Sequence, residues 1–121
     1  MSVFADQKKF MEAGGQTTDR LNNKQIALYL NLVDEEVNEL HAAIKYRDAK
    51  ETADAIADSI VVLIGLGLSF GFDMDRVWQQ VMGSNLAKID PETGKVIKRE
   101  DGKILKPEGW KAPDLSFVGE W

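Results

Sequence analysis

Apolar residues recur every three or four positions over most of the first 87 residues, and this spacing places them on one face of an α-helix. Gly14-Gly15 and Gly71 interrupt the pattern, as glycines do where helices end. The pattern predicts four helices, over residues 3–13, 24–47, 49–70 and 74–87.

Short polar side chains precede three of these helices, where they can accept a hydrogen bond from a free backbone N–H group. Asn22 or Asn23 stands before the second predicted helix, and Asp73 stands before the fourth. Asp48 precedes the third, and Glu51 follows it at the spacing of a capping box. The starts of these helices are therefore specified by local sequence.

The rest of the chain, residues 88–121, has the composition of an ordered tail. It holds all three prolines, and turn signals occur at Thr93-Gly94 and Asp101-Gly102. Short runs with β propensity at residues 95–97 and 104–105 predict one small hairpin.

These elements predict a single domain over residues 1–121. Its class is all-α: a four-helix bundle-like arrangement over residues 3–87, followed by an irregular C-terminal tail. No internal repeat or interdomain linker interrupts it.

After Asp54, almost every residue of the third predicted helix is apolar or small, on all sides of the helix. A helix of that kind is buried all round, and a chain of 121 residues has a modest core in which to bury it. We therefore expect oligomerisation to complete the bundle, in a homodimer or a homotetramer. Gly65-Leu66-Gly67 lacks the strand and turn of a dinucleotide-binding loop, so close helix packing is the better interpretation.

Acidic residues occupy positions where the helical pattern calls for apolar ones. At about 100° per residue, Glu36 and Glu39 fall inside the apolar arc of the second predicted helix. On the third, Glu51, Asp54 and Asp58 follow one another along a single stripe. Burying several carboxylates is very costly unless a cation or protons neutralise them. The two stripes therefore predict a cation site between adjacent helices.

Acidic residues on helices are most often solvated surface, and this is the ordinary alternative. The phase of Glu36 and Glu39 argues against it here. Oxygen-only clusters suit hard cations, so Mg²⁺ is the expected cofactor, with Mn²⁺ as a substitute. The chain has no Cys and one His, which disfavours zinc.

The formal net charge of −5 is unevenly distributed. Thirteen of the 20 acidic residues lie before Lys88, whereas seven of the 15 basic residues lie from Lys88 onward. No predicted helix carries a basic stripe, so nucleic acid is not an expected partner. The N-terminus lacks the pattern of a secretory signal, and the longest apolar run, around residues 60–68, is too short to span a bilayer. A cytoplasmic protein without a membrane partner is expected.

Two separated motifs carry most of these chemically distinctive residues. The first comprises Glu35-Glu36-x-x-Glu39, Glu51-x-x-Asp54 and Asp58-Ser-Ile-Val-Val-Leu-Ile-Gly, and the second comprises Ser84-Asn85-Leu86-Ala87-Lys88 and the stretch from Asp101 to Trp110. Together they resemble the MazG-like all-α nucleoside triphosphate pyrophosphohydrolases, a family related to phosphoribosyl-ATP pyrophosphatase and the dimeric dUTPases. Many members have a Glu where this chain has Ala55, which leaves open which acids of the third helix bind metal.

The resemblance implies hydrolysis of a ribo- or deoxyribonucleoside triphosphate to the monophosphate and pyrophosphate, by a water molecule that metal ions activate. It implies Glu36, Glu39, Glu51 and Asp54 as metal ligands, with Asp58 a further ligand or a partner of the ligands. Glu35 is the candidate that orients or deprotonates the water.

The resemblance also implies a set of substrate-binding residues, each with an ordinary structural alternative. Lys88, Lys103 and Lys106 would contact phosphates, although tail lysines often serve only solubility. Asn85 would contact the nucleotide, or act only as a helix C-cap. Phe10 and Gln16 would form part of the base pocket, and core packing is the alternative for Phe10.

Two other functions stay open. One is a different enzyme on the same scaffold, a phosphoribosyl-ATP pyrophosphatase or a dUTPase-like diphosphohydrolase. The other is a non-catalytic helical module that binds metal for stability.

Overall fold

The computed structural model describes residues 2–121 and contains, within that range, four α-helices and one short 3₁₀-helix. The helices are α1 (Val3–Ala13), α2 (Asn23–Lys45), α3 (Ala49–Ser69) and α4 (Met74–Leu86), and the 3₁₀-helix is Ser116–Val118. The predicted all-α class is confirmed, and every helix boundary lies within two residues of its predicted position.

Capping side chains fix the starts of the two long helices. Asn22 Oδ1 accepts a hydrogen bond from the Gln25 N–H group at 3.1 Å, which begins α2. Asp48 Oδ1 accepts one from the Glu51 N–H group, also at 3.1 Å, and begins α3. Both predicted caps are therefore confirmed, because each satisfies a backbone donor that the helix itself leaves free.

The chain divides into two compact units, residues 2–74 and residues 75–121. In the first unit α3 packs along α2 and also contacts α1. Its core is a cluster of buried apolar side chains drawn from all three helices, with further apolar residues packed against it. The buried members are Met11, Tyr29, Val62, Ile64 and Leu68, and those packed against them are Phe4, Leu32, Val33, Leu66 and Met74.

Two glycines of α3 permit this close packing. A Cβ atom at Gly65 would overlap the aromatic ring of Tyr29 on α2. A Cβ atom at Gly67 would lie 2.5 Å from the Sδ atom of Met74. The interpretation of these glycines as helix-packing positions is confirmed.

Gln25 ties the loop between α1 and α2 to the end of α3. Its side-chain Nε2 donates to the Thr17 carbonyl at 2.7 Å and to Ser69 Oγ at 2.9 Å, while its Oε1 accepts from the Thr17 N–H group at 3.1 Å. The Asn22 N–H group donates to the Ser69 carbonyl at 2.9 Å. The polar loop that carries Gln16 is thereby held against the helical core.

One side of α3 remains exposed in the single chain, so the expectation that this helix is buried all round is wrong for one protomer. Ile56, Ile60 and Leu63 are about half exposed, at 47%, 48% and 51%. They stand at i, i+4 and i+7, which places them on one face. A second copy that covers this face is still only a prediction.

By length and apolar composition alone, the whole of α3 is long enough to cross a membrane. The shorter apolar run at residues 60–68, on which the sequence-based expectation rested, is not. A core helix of a soluble protein meets the same criterion. Eight residues of α3 are buried within the protein, in keeping with a core helix.

The second unit contains most of α4 and the tail, which forms the small predicted hairpin. The Arg99 N–H group donates to the Lys103 carbonyl and the Leu105 N–H group to the Ile97 carbonyl, each at 2.8 Å. Lys98 and Ile104 form an isolated antiparallel bridge between them.

Candidate active site

The acidic stripes of α2 and α3 meet around Glu36. This side chain is partly buried, and its Oε2 atom is inaccessible to solvent and has no hydrogen-bond partner within residues 2–121. A buried carboxylate oxygen without a partner is unusual in a folded protein, because desolvation of the charge is left uncompensated. Such an oxygen is suited to bind a cation.

The electrostatics around Glu36 identify its neighbours. Burial raises the pKa of the Glu36 carboxyl above its ordinary value, and the charge of Glu39 raises it further. The charges of Asp58 and Asp54 raise the Glu36 pKa as well. One further acid of α2 and two of α3 therefore act on Glu36, as the predicted stripes require.

The cluster is more open than the sequence suggested. Glu36 and Asp58 are partly buried, whereas Glu39 and Asp54 are exposed, so the expectation of several buried anions is met only in part. Within residues 2–121, no three His, Asp or Glu side chains lie close enough together to hold one metal ion. Exposed carboxylates change rotamer at little cost. The all-oxygen set and the unpartnered Glu36 Oε2 fit a hard divalent cation after such a change.

Glu51 and Glu35 lie at the margin of the cluster. Glu51 is exposed in the first turn of α3, and it is not among the groups that raise the pKa of Glu36. Ala55 of α3 is buried. The charges that α3 supplies near Glu36 thus come from Asp54 and Asp58. Glu35, the residue before Glu36 on α2, is exposed.

The predicted base-pocket residues occupy different environments. Phe10 is 73% exposed, so the core-packing alternative for this residue is wrong. Gln16 Oε1 accepts a 2.6 Å hydrogen bond from the Tyr29 hydroxyl, which fixes its side chain. Burial raises the pKa of Tyr29, so that this hydroxyl stays a donor. Gln16 lines a shallow cavity of about 310 Å³, together with Asn22, Lys24, Gln25 and Leu28.

In the second unit, two of the predicted substrate-binding residues, Lys88 and Lys106, lie over Trp110, and a third, Asn85, contacts Lys88. The Lys88 ammonium donates to Asn85 Oδ1 at 3.1 Å. The Lys88 and Lys106 ammonium groups lie 5.2 Å and 4.9 Å from the centroid of the Trp110 ring. Trp110 Nε1 donates to the Ser84 carbonyl at 2.7 Å. The structure therefore gathers Asn85, Lys88 and Lys106 into one cluster.

Lys103 lies instead in the hairpin turn, where its backbone N–H group donates to Asp101 Oδ1 at 3.1 Å. Arg99 forms an ion pair with the same Asp101 side chain. This pair lowers the pKa of Asp101 and, together with the Lys103 N–H bond, stabilises the turn.

Sequence reasoning did not assign a role to Tyr29 or to Trp110. Tyr29 belongs to an apolar arc and shows no sequence signal for its bond to Gln16. Trp110 offers a signal in retrospect, because it closes the Lys106-Pro107-Glu108-Gly109-Trp110 run, in which a lysine precedes an aromatic residue at a turn.

The chain is an all-α protein in which carboxylates of α2 and α3 gather around Glu36. A family profile described as phosphoribosyl-ATP pyrophosphohydrolase matches residues 2–85, and the chain belongs to this family. The earlier resemblance is thus confirmed. Residues 86–121, which include Lys88, Lys106 and Trp110, lie outside the matched range.

The chain is also similar to an uncharacterised protein of Acanthamoeba polyphaga mimivirus. The two share 39% identity over 55 residues, which are 46% of this chain and 22% of the mimivirus protein. The chain therefore corresponds to a small part of that relative. Family membership supports nucleotide pyrophosphohydrolase chemistry of the MazG-like type.

Proposed function

We propose that this protein is a Mg²⁺-dependent nucleoside triphosphate pyrophosphohydrolase, which converts a ribo- or deoxyribonucleoside triphosphate and water to the monophosphate and pyrophosphate. The observation that carries the proposal is the buried, unpartnered Oε2 atom of Glu36, surrounded by the charges of Glu39, Asp54 and Asp58. Membership of the pyrophosphohydrolase family supports the type of bond cleaved.

In this proposal Glu36, Glu39, Asp54 and Asp58 hold Mg²⁺, and Mn²⁺ can replace it. Glu51 is the more peripheral candidate, because it is absent from the groups that act on Glu36. When bound, the cation neutralises the carboxylates and the charge that develops on the phosphate oxygens. Glu35, exposed beside the cluster, orients the attacking water and accepts its proton.

The remaining predicted residues are proposed to bind substrate. Lys88 and Lys106, with Asn85, contribute positive charge and hydrogen bonds for phosphate oxygens, and Lys103 adds a more distant charge. Gln16, oriented by Tyr29, is proposed to recognise the base by hydrogen bonds, and the exposed Phe10 ring to stack on it.

A second candidate substrate is phosphoribosyl-ATP, because the description of the matching family names it. The same acids would serve, since both reactions break a phosphoanhydride bond and release pyrophosphate. Only the recognition of the sugar and base would differ.

The proposed assembly is a homodimer or homotetramer in the cytoplasm, in which a second copy covers the exposed face of α3. The apolar side chains on that face support this assembly.

The test is a pyrophosphate-release assay across the common NTPs and dNTPs, dUTP and phosphoribosyl-ATP, with Mg²⁺, with Mn²⁺ and with EDTA. Glu36→Gln and Glu39→Gln should each lower activity by about a hundredfold, because each removes a carboxylate that is proposed to bind metal. Glu12→Gln, an exposed acid of α1, is the matched control and should retain wild-type activity.

Undiminished Mg²⁺-dependent turnover in Glu36→Gln would refute the assignment. Thermal stabilisation by Mg²⁺ without turnover of any nucleotide would favour the non-catalytic helical module instead.

A further inference from the structure

We propose that Trp110 is a positioning residue, which holds the ammonium groups of Lys88 and Lys106 together as a binding site for a chain of linked phosphates. The inference rests on the proposed function for the identity of the physiological ligand, the triphosphate of the substrate or the pyrophosphate product. The residues that form the site all lie in the second unit.

Trp110 is fixed in place by two hydrogen bonds. Its indole Nε1 donates to the Ser84 carbonyl on α4 at 2.7 Å. Its backbone N–H group donates to the Pro107 carbonyl at 3.1 Å, which closes the turn that precedes it. The indole is therefore a rigid surface joined to both α4 and the tail.

The two lysines approach this surface from different parts of the chain. Lys88 lies just after the end of α4 and is further oriented by its 3.1 Å hydrogen bond to Asn85. Lys106 lies further along the tail, after the hairpin. Distances of 5.2 Å and 4.9 Å to one ring centroid place the two nitrogens within about 10 Å of each other. Both lie within the range of cation–π attraction.

Neither ammonium group is neutralised by a carboxylate. Within residues 2–121, no Asp or Glu oxygen lies within 4.0 Å of the Lys88 or Lys106 nitrogen. Two unpaired cations held near each other repel, and an anion that reaches both relieves this repulsion. The arrangement therefore fits a multiply charged anion with several oxygens.

A chain of phosphates suits this pair better than a single phosphate does. Linked phosphates present charge over a length that can reach both ammonium groups at once, and each contact is a charge-assisted hydrogen bond. Trp110 contributes by restricting the two long side chains beforehand, so that less rotamer entropy is lost on binding. Free inorganic phosphate is the competing source of the same chemistry, and the experiment separates the two.

The experiment measures binding of inorganic tripolyphosphate, pyrophosphate and phosphate to the full chain by calorimetry, in EDTA so that no metal takes part. Wild-type protein should bind tripolyphosphate most tightly and phosphate most weakly. Trp110→Leu should weaken tripolyphosphate binding by about tenfold, because two cation–π contacts and the preorganisation they give are lost. Trp110→Phe keeps an aromatic face and should stay within about threefold of wild type.

Trp121→Leu is the matched control, since it removes an exposed tryptophan of the same unit, and it should bind as wild type does. Equal affinity of Trp110→Leu and wild type would overturn the inference, as would a loss in Trp110→Phe as large as that in Trp110→Leu. If Trp110→Leu does not fold, the test is the change in the lysine ε-methylene NMR signals of the wild type on addition of tripolyphosphate. Tripolyphosphate should shift the Lys88 and Lys106 signals together, and a shift of neither overturns the site.

Turnover separates this inference from the proposed function. For a nucleotide that the wild type hydrolyses, Trp110→Leu should raise KM by about tenfold and leave kcat within about twofold, because it removes binding rather than chemistry. Unchanged KM with unchanged tripolyphosphate affinity refutes the positioning role and leaves the proposed function intact. Trp110-dependent tripolyphosphate binding without hydrolysis of any nucleotide refutes the proposed function and leaves the anion site intact.

Discussion

Among the acidic side chains of residues 2–121 that are at least partly buried, Glu36 differs in having one oxygen that is inaccessible to solvent and accepts no hydrogen bond. Its neighbours Glu39, Asp54 and Asp58 add negative charge rather than compensate it. The folded protein therefore carries an unfavourable charge at this position, and such a cost is typical of residues retained for function.

The cost of the Glu36 charge predicts how the free energy of unfolding depends on pH in the absence of metal. The pKa of Glu36 is raised in the folded protein above its ordinary value of 4.5, so between these two values the folded state binds more protons than the unfolded state. The contribution of Glu36 to the free energy of unfolding therefore falls as pH rises through that interval. Glu36→Gln should remove this fall and raise the free energy of unfolding at pH 7 relative to the wild type.

Urea denaturation at pH 4.5 and pH 7, in EDTA and in Mg²⁺, measures this effect. At pH 7, Mg²⁺ should raise the free energy of unfolding of the wild type and leave that of Glu36→Gln nearly unchanged. Glu12→Gln serves as the control and should follow the wild type. The explanation fails if Glu36→Gln keeps the wild-type difference between the two pH values.

The sequence contained enough information to place Glu36 against α3, because helical phase depends on spacing alone, whereas Glu39 is more exposed than its phase indicated. The sequence did not contain enough to say which of Glu51, Asp54 and Asp58, which share one stripe, lies nearest to Glu36. That depends on which turn of α3 packs against which turn of α2, and the pairing of two helices is a tertiary property. Trp110 was missed for the same reason, since its partners Ser84 and Lys88 are distant in sequence.

Helices α2 and α3 pack closely because glycine removes a side chain where they meet. Gly65 lies against the Tyr29 ring, and Tyr29 in turn orients Gln16. The packing of this helix pair and the orientation of a candidate base-binding residue therefore depend on the same contact.

Gly65→Ala should destabilise the protein by about 1–3 kcal/mol, because the added methyl group overlaps a buried ring that cannot move freely. Gly83→Ala is the matched control in α4, where an added Cβ meets no atom within 4 Å. It should be neutral or stabilising by up to about 1 kcal/mol, from helix propensity. Chemical denaturation measures both, and equal effects of the two substitutions would contradict close packing at Gly65.

The polar loop before α2 offers a second test of how the helices are held. Gln25 is buried and makes three hydrogen bonds, to both backbone groups of Thr17 and to Ser69. Gln25→Ala should lower the free energy of unfolding by about 2–4 kcal/mol, because it leaves buried donors and acceptors unsatisfied. Gln80→Ala, at an exposed site of α4, should change it by less than about 0.5 kcal/mol. A small effect at Gln25 would mean that water replaces these bonds.

Helix boundaries were predictable because caps and glycine stops are local signals, and Asn22, Asp48 and Gly14 act where the sequence placed them. The burial of α3 was not predictable in the same way. Ile56, Ile60 and Leu63 are apolar in sequence and half exposed in one chain, so their environment depends on what else packs there.

That exposed face bears on the assembly of the whole protein. At 100° per residue, Ile56, Ile60 and Leu63 lie on the side of α3 opposite Asp54 and Asp58. A second copy can therefore cover the apolar stripe without covering these carboxylates. The same stripe on two copies is self-complementary, as a twofold interface requires.

We expect the wild type to sediment at twice its 13.5 kDa chain mass or more at micromolar concentration. Leu63→Glu should shift the equilibrium toward the monomer by at least about tenfold, because it places a charge in the centre of the apolar stripe. Ile97→Glu changes a similarly exposed apolar residue in the tail hairpin and should leave the assembly unchanged. Analytical ultracentrifugation measures all three. A monomeric wild type would contradict the predicted assembly, and equal dissociation in both variants would show that α3 is not its interface.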